Sequence, residues 1–381
     1  DKLAIPGLIN THTHAAMTLT RGLGEDIKLM EWLEDIIWPF EAGLNAEDVY
    51  WGTKLALVEM LQAGITTFAD MYFFMGKVAE AVAEAGMRGV LSRGLVGAGP
   101  NPEQALEESR ALLEGWHNGA EGRIRIMLGP HAPYTCSPGY LGKVMEMAGQ
   151  YDVGLHIHLA ETAQEVAQIL TQYGKRPVAY LADLGILDFP VLAAHCVHLN
   201  DEEIGLLAEK GVRVAHNPHS NMKLASGIAP VVKMIEAGIK IGFGTDGAGS
   251  NNKLDLLEEM RTGVLLQKVA NNDPTVLTLE EALSMATCWG AEVAGLQEVG
   301  CIKQGWKADL VLLDLSSPHL QPDYDLAANL IFAARAGDVH TVIVDGRILL
   351  DAGEMKGLDL ERISYEVNQR SRILVEKMNS R

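Results

Sequence analysis

The 381-residue chain is poor in several things, and each scarcity excludes something. It has four cysteines (Cys136, Cys196, Cys288 and Cys301) and no C-x-x-C pair. That argues against a disulfide or structural zinc framework and reads as reduced thiols in a cytoplasmic protein. No apolar run approaches the ~18 residues of a membrane span. The opening residues, Asp1-Lys2-Leu3-Ala4-Ile5-Pro6, lack the charged and apolar regions of a signal peptide. Basic residues are scarce too: 31 Lys and Arg against 50 Asp and Glu leave a formal net charge of −19. Such a surface repels phosphate backbones and anionic lipid, so neither nucleic acid nor a membrane is expected as a partner.

Apolar residues make up 48% of the chain and charged residues 21%, enough for a sizeable core. Eight short β-rich runs, at residues 3–9, 65–70, 89–96, 123–128, 153–159, 191–194, 212–215 and 239–244, alternate with amphipathic helical patterns. Among those helices are residues 49–63, 105–116, 141–150 and 201–209. Eight strand–helix repeats predict an α/β fold, a (β/α)₈ TIM barrel, assigned to residues 4–300. Within that span Asn271-Asn272-Asp273-Pro274 breaks the pattern, and residues 278–296 read as one helix capped by Thr278. Residues 301–353 then form part of a small β-domain, with a strand at 310–314 and a hairpin in 340–350 that turns at Asp345-Gly346. Two or three strands do not make a stable sheet alone, so partners are expected from a segment ahead of Asp1. Residues 354–381 hold a closing amphipathic helix at 359–378.

Histidine placement is the strongest chemical signal. Nine of the twelve (His12, His14, His131, His156, His158, His195, His198, His216 and His219) fall at the C-terminal ends of these strands. In a parallel barrel all those ends open on one face, where active sites are built. His12-Thr13-His14 places two imidazoles two residues apart, hence on one face of the first strand. His158 ends the fifth strand and Asp246 the eighth, in Gly244-Thr245-Asp246-Gly247. Three imidazoles and a carboxylate suit Zn²⁺, with Fe²⁺ as the alternative, one ion per chain. His156 competes with His158 for the ligand role, and His158 is preferred because it lies nearer the strand end. Glu161, three residues beyond His158, is placed to carry a proton to or from a substrate. His195, ending the sixth strand, can hydrogen-bond a water that the ion activates, and Asp246 can accept its proton. Cys196 beside His195 reads as a structural thiol, since strand neighbours face opposite ways.

These residues also resemble a family. Pro6-Gly7-Leu8-Ile9-Asn10-Thr11-His12-Thr13-His14 looks like the opening motif of the amidohydrolase superfamily. His216-Asn217-Pro218-His219-Ser220-Asn221-Met222-Lys223-Leu224 and Thr245-Asp246-Gly247-Ala248-Gly249-Ser250-Asn251-Asn252 look like its deaminase and chlorohydrolase branch. Within that branch the chain is most similar to the 5'-methylthioadenosine/S-adenosylhomocysteine deaminases. The resemblance implies hydrolytic removal of the adenine 6-amino group, giving the inosine analogue and ammonia. The alternatives are deamination or dechlorination of another ring: adenosine, guanine, a pterin or an s-triazine. It further implies that Glu41, in Trp38-Pro39-Phe40-Glu41, and His131, in Gly129-Pro130-His131, bind a purine nucleoside substrate. Arg93 is implied to hold the ribose or amino-acid portion. The neutral, apolar segment around Met17, Trp32 and Trp38 is itself suited to line the methylthio end. Binuclear relatives need a bridging lysine on the fourth strand; residues 123–128 have none, so a single ion is implied. The family's small domain is a β-sandwich that draws strands from before the barrel. The pattern does not decide between a monomer and a homo-oligomer.

Overall fold

Apolar runs do not announce which sheet they join, and the first one joins two. In the computed structural model, which describes residues 1–380, the strand expected over residues 3–9 divides into β1 (Lys2–Pro6) and β2 (Leu8–Thr13). Gly7 sits between them, where a Cβ would lie 2.1 Å from Thr66 Oγ1; only glycine lets the chain pass so close. The barrel continues with β3 (Ile65–Tyr72), β4 (Arg88–Leu95), β5 (Ile124–Pro130) and β6 (Leu155–Leu159). It ends with β7 (Val191–His195), β8 (Arg213–His216) and β9 (Ile241–Phe243). The eight strands β2 to β9 are parallel neighbours in chain order.

The remaining strands are β10 (Leu310–Asp314), β11 (Val339–Val344), β12 (Arg347–Asp351) and β13 (Glu354–Met355). With β1 they form one antiparallel sheet in the order β1-β10-β11-β12-β13. β1 pairs with β10 along its whole length, Lys2 opposite Asp314 and Pro6 opposite Leu310. The sheet therefore takes its N-terminal partner from residues 2–6, and residues 4–6 belong to it, not to the barrel. The expected hairpin is present, with Asp345 and Gly346 both at positive φ (49° and 78°), the turn whose twist matches its strands.

The helix expected over residues 278–296 is broken. Thr278 caps Leu279–Ala286 as anticipated, but Thr287 leaves helical geometry (φ −133°, ψ −97°) before Cys288–Val293. The Thr287 hydroxyl donates to the Leu283 carbonyl four residues back, the back-bonding that bends helices. The break redirects Ala291, Val293 and Ala294 onto Ile9, Ala69, Val90, Met127, Leu192 and Ala215, an apolar cluster that fills the barrel floor. The last helix, Leu360–Asn379, lies on the helix Ala46–Gln62, with Arg370 Nη1 2.9 Å from Asp48 Oδ1. Among the described residues, no helix is long and apolar enough to cross a membrane.

The seam between β2 and β9 is stitched largely by side chains. Asn10 Nδ2 donates to Thr245 Oγ1 (2.8 Å), and its Oδ1 accepts from the Thr245 amide (3.0 Å). Thr11 Oγ1 donates to the Phe243 carbonyl (2.9 Å), and the Asp246 amide donates to the His12 carbonyl (3.0 Å).

The two sheets are joined by a buried ion pair. Arg88 Nε and Nη2 donate to Asp309 Oδ2 and Oδ1 at 2.9 and 3.0 Å, and Asp309 Oδ1 also accepts the Asp345 amide. Their side chains are only 4% and 1% exposed. Removing one partner strands the other charge, so Asp309→Ala should lower the unfolding free energy by about 3–5 kcal/mol. A urea titration reads this directly, and an unchanged midpoint would refute the assigned role.

Candidate active site

Three histidines and an aspartate converge where β2, β6 and β9 end. His12 Nδ1 lies 2.8 Å from His156 Nε2, and His158 Nδ1 lies 2.7 Å from the His131 carbonyl. His14 Nδ1 meets the Met71 carbonyl. Carbonyls accept only, so His14 and His158 carry a proton on Nδ1. Neutral His158 then keeps a lone pair on Nε2. Against the lowering effect of burial, the Asp246 carboxylate raises the His14 pKa to about 9, and His14 must release its Nε2 proton to serve as a ligand. His12 Nδ1 donating to His156 Nε2 leaves a lone pair on His12 Nε2, with His156 Nδ1 then donating to Ser92 Oγ at 3.3 Å. The three Nε2 atoms face inward: those of His12 and His14 lie 3.3 and 3.2 Å from Asp246 Oδ1, and those of His14 and His158 are 3.3 Å apart. Burial lowers the His12 pKa to about 3 and that of His158 well below its ordinary value, which keeps both neutral.

His12 Nε2 and Asp246 Oδ1 are buried without a hydrogen-bond partner. Among the described residues His12 belongs to two triads of close ligand atoms, one with His14 and Asp246 and one with His158 and His195. Imidazoles and a carboxylate so gathered are a donor set for a divalent cation such as Zn²⁺ or Fe²⁺. His156 supports His12 from behind and does not compete for the ion. The backbone is bent to serve this geometry: Ala160, His195, Cys196 and Asp246 take positive φ (50°, 72°, 50° and 58°) just where β6, β7 and β9 end. Non-glycine residues in that region cost on the order of 1–3 kcal/mol each, a strain that concentrates at functional sites.

His195 stands beside the cluster. Its Nδ1 lies 2.8 Å from Asn221 Oδ1 and 3.3 Å from Asn217 Nδ2, the shorter contact being the one in which Nδ1 donates, and its Nε2 faces Glu161 Oε2 at 3.9 Å. Glu161 is 9% exposed, and burial raises its pKa. The turn that presents it is held by Glu165, whose two carboxylate oxygens accept the Ala160 and Glu161 amides, both at 2.8 Å. Asp246 Oδ2 accepts two hydroxyls, Ser220 Oγ and Ser250 Oγ, both at 2.7 Å. Ser220, Asn221, Ser250 and Glu165 escaped the sequence reading. The first three lie inside the two motifs already singled out, and that position was the available signal.

His14, His158, Glu161, His195, Asp246 and Ser250 open on a cleft that holds about 870 Å³ of empty space, the open solvent at its mouth included. Glu41 and His131 line it, as do Met17, Trp32 and Trp38. Burial pushes the Glu41 pKa up to about 7, against a hydrogen bond from Tyr72, and lowers that of His131 to about 4. Arg93 departs from its expected place. It is absent from the lining: its Nε donates to Glu108 Oε2 at 2.7 Å, and its guanidinium lies 4.9 Å from the centre of Phe73, which does line the cavity. Of the nine strand-end histidines, six gather here. His198 instead reaches the Ser226 carbonyl, His219 pairs with Glu259, and His216 is buried near Phe243.

A barrel with this mouth is the scaffold of a metal-dependent hydrolase, and the chain belongs to the Amidohydrolase family, whose model matches residues 3–349. It is 53% identical over 379 residues to a 5-methylthioadenosine/S-adenosylhomocysteine deaminase of Syntrophomonas wolfei, covering 99% of this chain and 88% of that one. A protein of the same name from Moorella thermoacetica is 55% identical over 371 residues, covering 97% and 87%. Among solved structures, an adenosine deaminase from Xanthomonas campestris with bound zinc superposes with a TM-score of 0.96 at 37% identity, covering 99% of this chain and 87% of that one. Atrazine chlorohydrolase from Arthrobacter aurescens, in complex with zinc, gives 0.90 at 28% identity, covering 97% and 88%.

His12 has the cluster's most enclosed Nε2. His12→Ala should abolish stoichiometric metal and turnover together, as elemental analysis beside an activity assay would reveal. Full metal content in that variant would remove His12 from the ligand set.

Proposed function

We propose that this chain is a metal-dependent deaminase that hydrolyses the 6-amino group of 5'-methylthioadenosine, S-adenosylhomocysteine or both, giving the inosine analogue and ammonia. The observation that carries the reading is a single cavity lined by members of the metal-ligand cluster, the His195 imidazole held at Nδ1 by Asn221, and a buried carboxylic acid. The names of relatives more than half identical over nearly the whole chain support the substrate class.

His12, His14, His158 and Asp246 would hold the ion, zinc by the chemistry of the donor set and by the neighbours' bound zinc. When bound, it supplies Lewis acidity that lowers the pKa of a water to ~7. Glu161 holds a proton at its carboxyl and delivers it to N1 of the purine, which makes C6 electrophilic. His195 Nε2 and the Oδ1 face of Asp246 take one proton of the attacking water and pass it to the departing amine. As the C6–N bond breaks, the remaining proton on the C6 hydroxyl returns to the Glu161 carboxylate, leaving the C6 carbonyl, ammonia and a reprotonated Glu161. Glu41 and His131 bind the nucleoside, and Arg93 reaches it on exchanging Glu108 for the ligand. The apolar segment with Met17, Trp32 and Trp38 covers the thioether and excludes bulk water. The substrate is a small molecule of the cytoplasm, and the barrel lies in residues 4–300 less residues 4–6, which belong to β1 of the smaller sheet. Adenosine itself is the second reading, favoured by the TM-score of 0.96 to the adenosine deaminase.

Ammonia release from methylthioadenosine, S-adenosylhomocysteine, adenosine, guanine and a chlorinated triazine tests the proposal, with preference for a thio-nucleoside expected. Silence on both thio-nucleosides with turnover of another ring would discard the substrate assignment. Glu161→Gln cannot relay a proton: it should keep its metal and lose about 10²–10⁴-fold in kcat. Near-normal turnover would remove Glu161 from the proton path.

A further inference from the structure

The two oxygens of Asp246 are not equivalent. Oδ2 accepts the Ser220 and Ser250 hydroxyls, both at 2.7 Å, while Oδ1 has no hydrogen-bond partner and lies 3.3 and 3.2 Å from Nε2 of His12 and His14. Ser220, Ser250 and Asp246 are 0%, 3% and 5% exposed, so water does not compete freely for these bonds. Ser250 Oγ also lies 3.1 Å from the Gly247 carbonyl, but its single proton goes to the shorter, charged acceptor. The serines come from different segments: Ser220 from the short helix Pro218–Lys223 after β8, Ser250 from the loop after β9. The Asp246 backbone is held independently, its amide on the His12 carbonyl and its carbonyl on Thr13 Oγ1 at 2.8 Å.

A carboxylate anchored only by its backbone can rotate about its last bond and offer a cation one oxygen or both. Two hydroxyls on the same oxygen fix the carboxylate plane and occupy that oxygen. We infer that Ser220 and Ser250 are positioning residues that commit Asp246 to present one oxygen, Oδ1, to the metal and to the proton of the attacking water. The inference rests on the metal-site reading above. It also accounts for the motif His216-Asn217-Pro218-His219-Ser220-Asn221, of which the reaction uses no side chain directly. His219 pins the short helix to Glu259, with Nδ1 2.9 Å from Oε1. Ser220 then aims Asp246, and its neighbour Asn221 aims His195. One turn of helix thus sets the orientation of both groups that handle the water's proton.

Ser220→Ala, Ser250→Ala and the double variant test this in the full chain. Three quantities are read: Zn²⁺ affinity by chelator competition, the visible spectrum of the Co²⁺-loaded protein, and the melting temperature without metal. Loss of an outer hydrogen bond to a ligand typically weakens metal binding by 10–100-fold. Each single variant should lose about tenfold and the double about 100-fold. The cobalt bands of the double variant should weaken, because a carboxylate free to bind through both oxygens raises the coordination number. Ser250→Thr keeps the hydroxyl and should restore affinity and spectrum. A double variant with wild-type affinity and spectrum overturns the proposal, even if its melting temperature falls, because the serines then only pack. Should the double variant fail to fold, two single variants with unchanged affinity overturn it equally. Ion uptake is read without ammonia release, so a wrong substrate leaves this test intact. A wild-type chain that takes up neither ion overturns the metal-site reading, and the serine roles with it.

Discussion

The site depends on how the barrel closes. The last barrel strand, β9, has only three residues, and the seam to β2 relies on Asn10, Thr11 and Thr13 where a backbone ladder would otherwise run. Asn10 uses both ends of its amide on Thr245, and together with Thr11, Thr13 and the Asp246 amide it sets the register of the first and last strands without a repeating ladder. That register places Asp246 against His12 and His14. A slip there would separate the carboxylate from the imidazoles while leaving the other strand pairings intact. The conformational cost of bringing the two ends of the barrel together is met by the whole core, and the site takes advantage of the contact so made.

What converges at that seam is unfavourable by itself. Lone pairs of buried imidazoles face a carboxylate oxygen that no donor satisfies, and buried acceptors without partners cost free energy. Several flanking residues also hold left-handed backbone angles that only surrounding packing can maintain. The cluster is held in place by specific bonds on its outer side, although Asp70 Oδ2, Asn217 Oδ1 and Asn221 Nδ2 nearby are also buried without partners. His156, the Met71 and His131 carbonyls, the two serines and Asn221 each take a specific atom, leaving inward-facing ones for a cation. Such preorganisation couples ion binding to folding, since binding relieves a strain that the fold already carries.

Much of this was legible in the sequence. Alternating β and helical periods gave the barrel, and histidines at strand ends marked its open face before any family motif was considered. The hairpin at Asp345-Gly346 and the cap at Thr278 followed from turn and cap chemistry. Other features were hidden for physical reasons. Residues 3–9 form one apolar run, and hydrophobicity does not say where a chain leaves one sheet for another; Gly7 was the mark, readable only once Thr66 is known to lie against it. The kink at Thr287 comes from a hydroxyl that an amphipathic pattern absorbs without a break. Ser220, Ser250, Asn221 and Glu165 act through single hydrogen bonds across the fold, which leave no period in the chain. Arg93 was placed by resemblance alone, and its Glu108 pairing across fifteen residues was not visible from the motif.

The cavity wall links this architecture to substrate choice. The segment between β2 and β3, immediately after His14, contributes Leu29, Trp32, Leu33, Ile37 and Trp38 to the lining. Residues Leu33–Ile37 form a π-turn, a widened helical geometry found frequently at functional sites. The loop that begins with a metal-ligand candidate therefore returns as an apolar cover over part of the same cavity, whose mouth stays open to solvent. Such a cover suits a neutral thioether. The charged lining residues besides histidine are Glu41, Glu161 and Asp246, all acids, with no lysine or arginine among them. A substituent bearing an amino-acid carboxylate needs a cation, and Arg93 already donates to Glu108. Methylthioadenosine makes no such demand on the resting arrangement. If Arg93 holds that carboxylate, as proposed above, its ion pair with Glu108 must open first, and S-adenosylhomocysteine would then depend on Arg93 where methylthioadenosine does not.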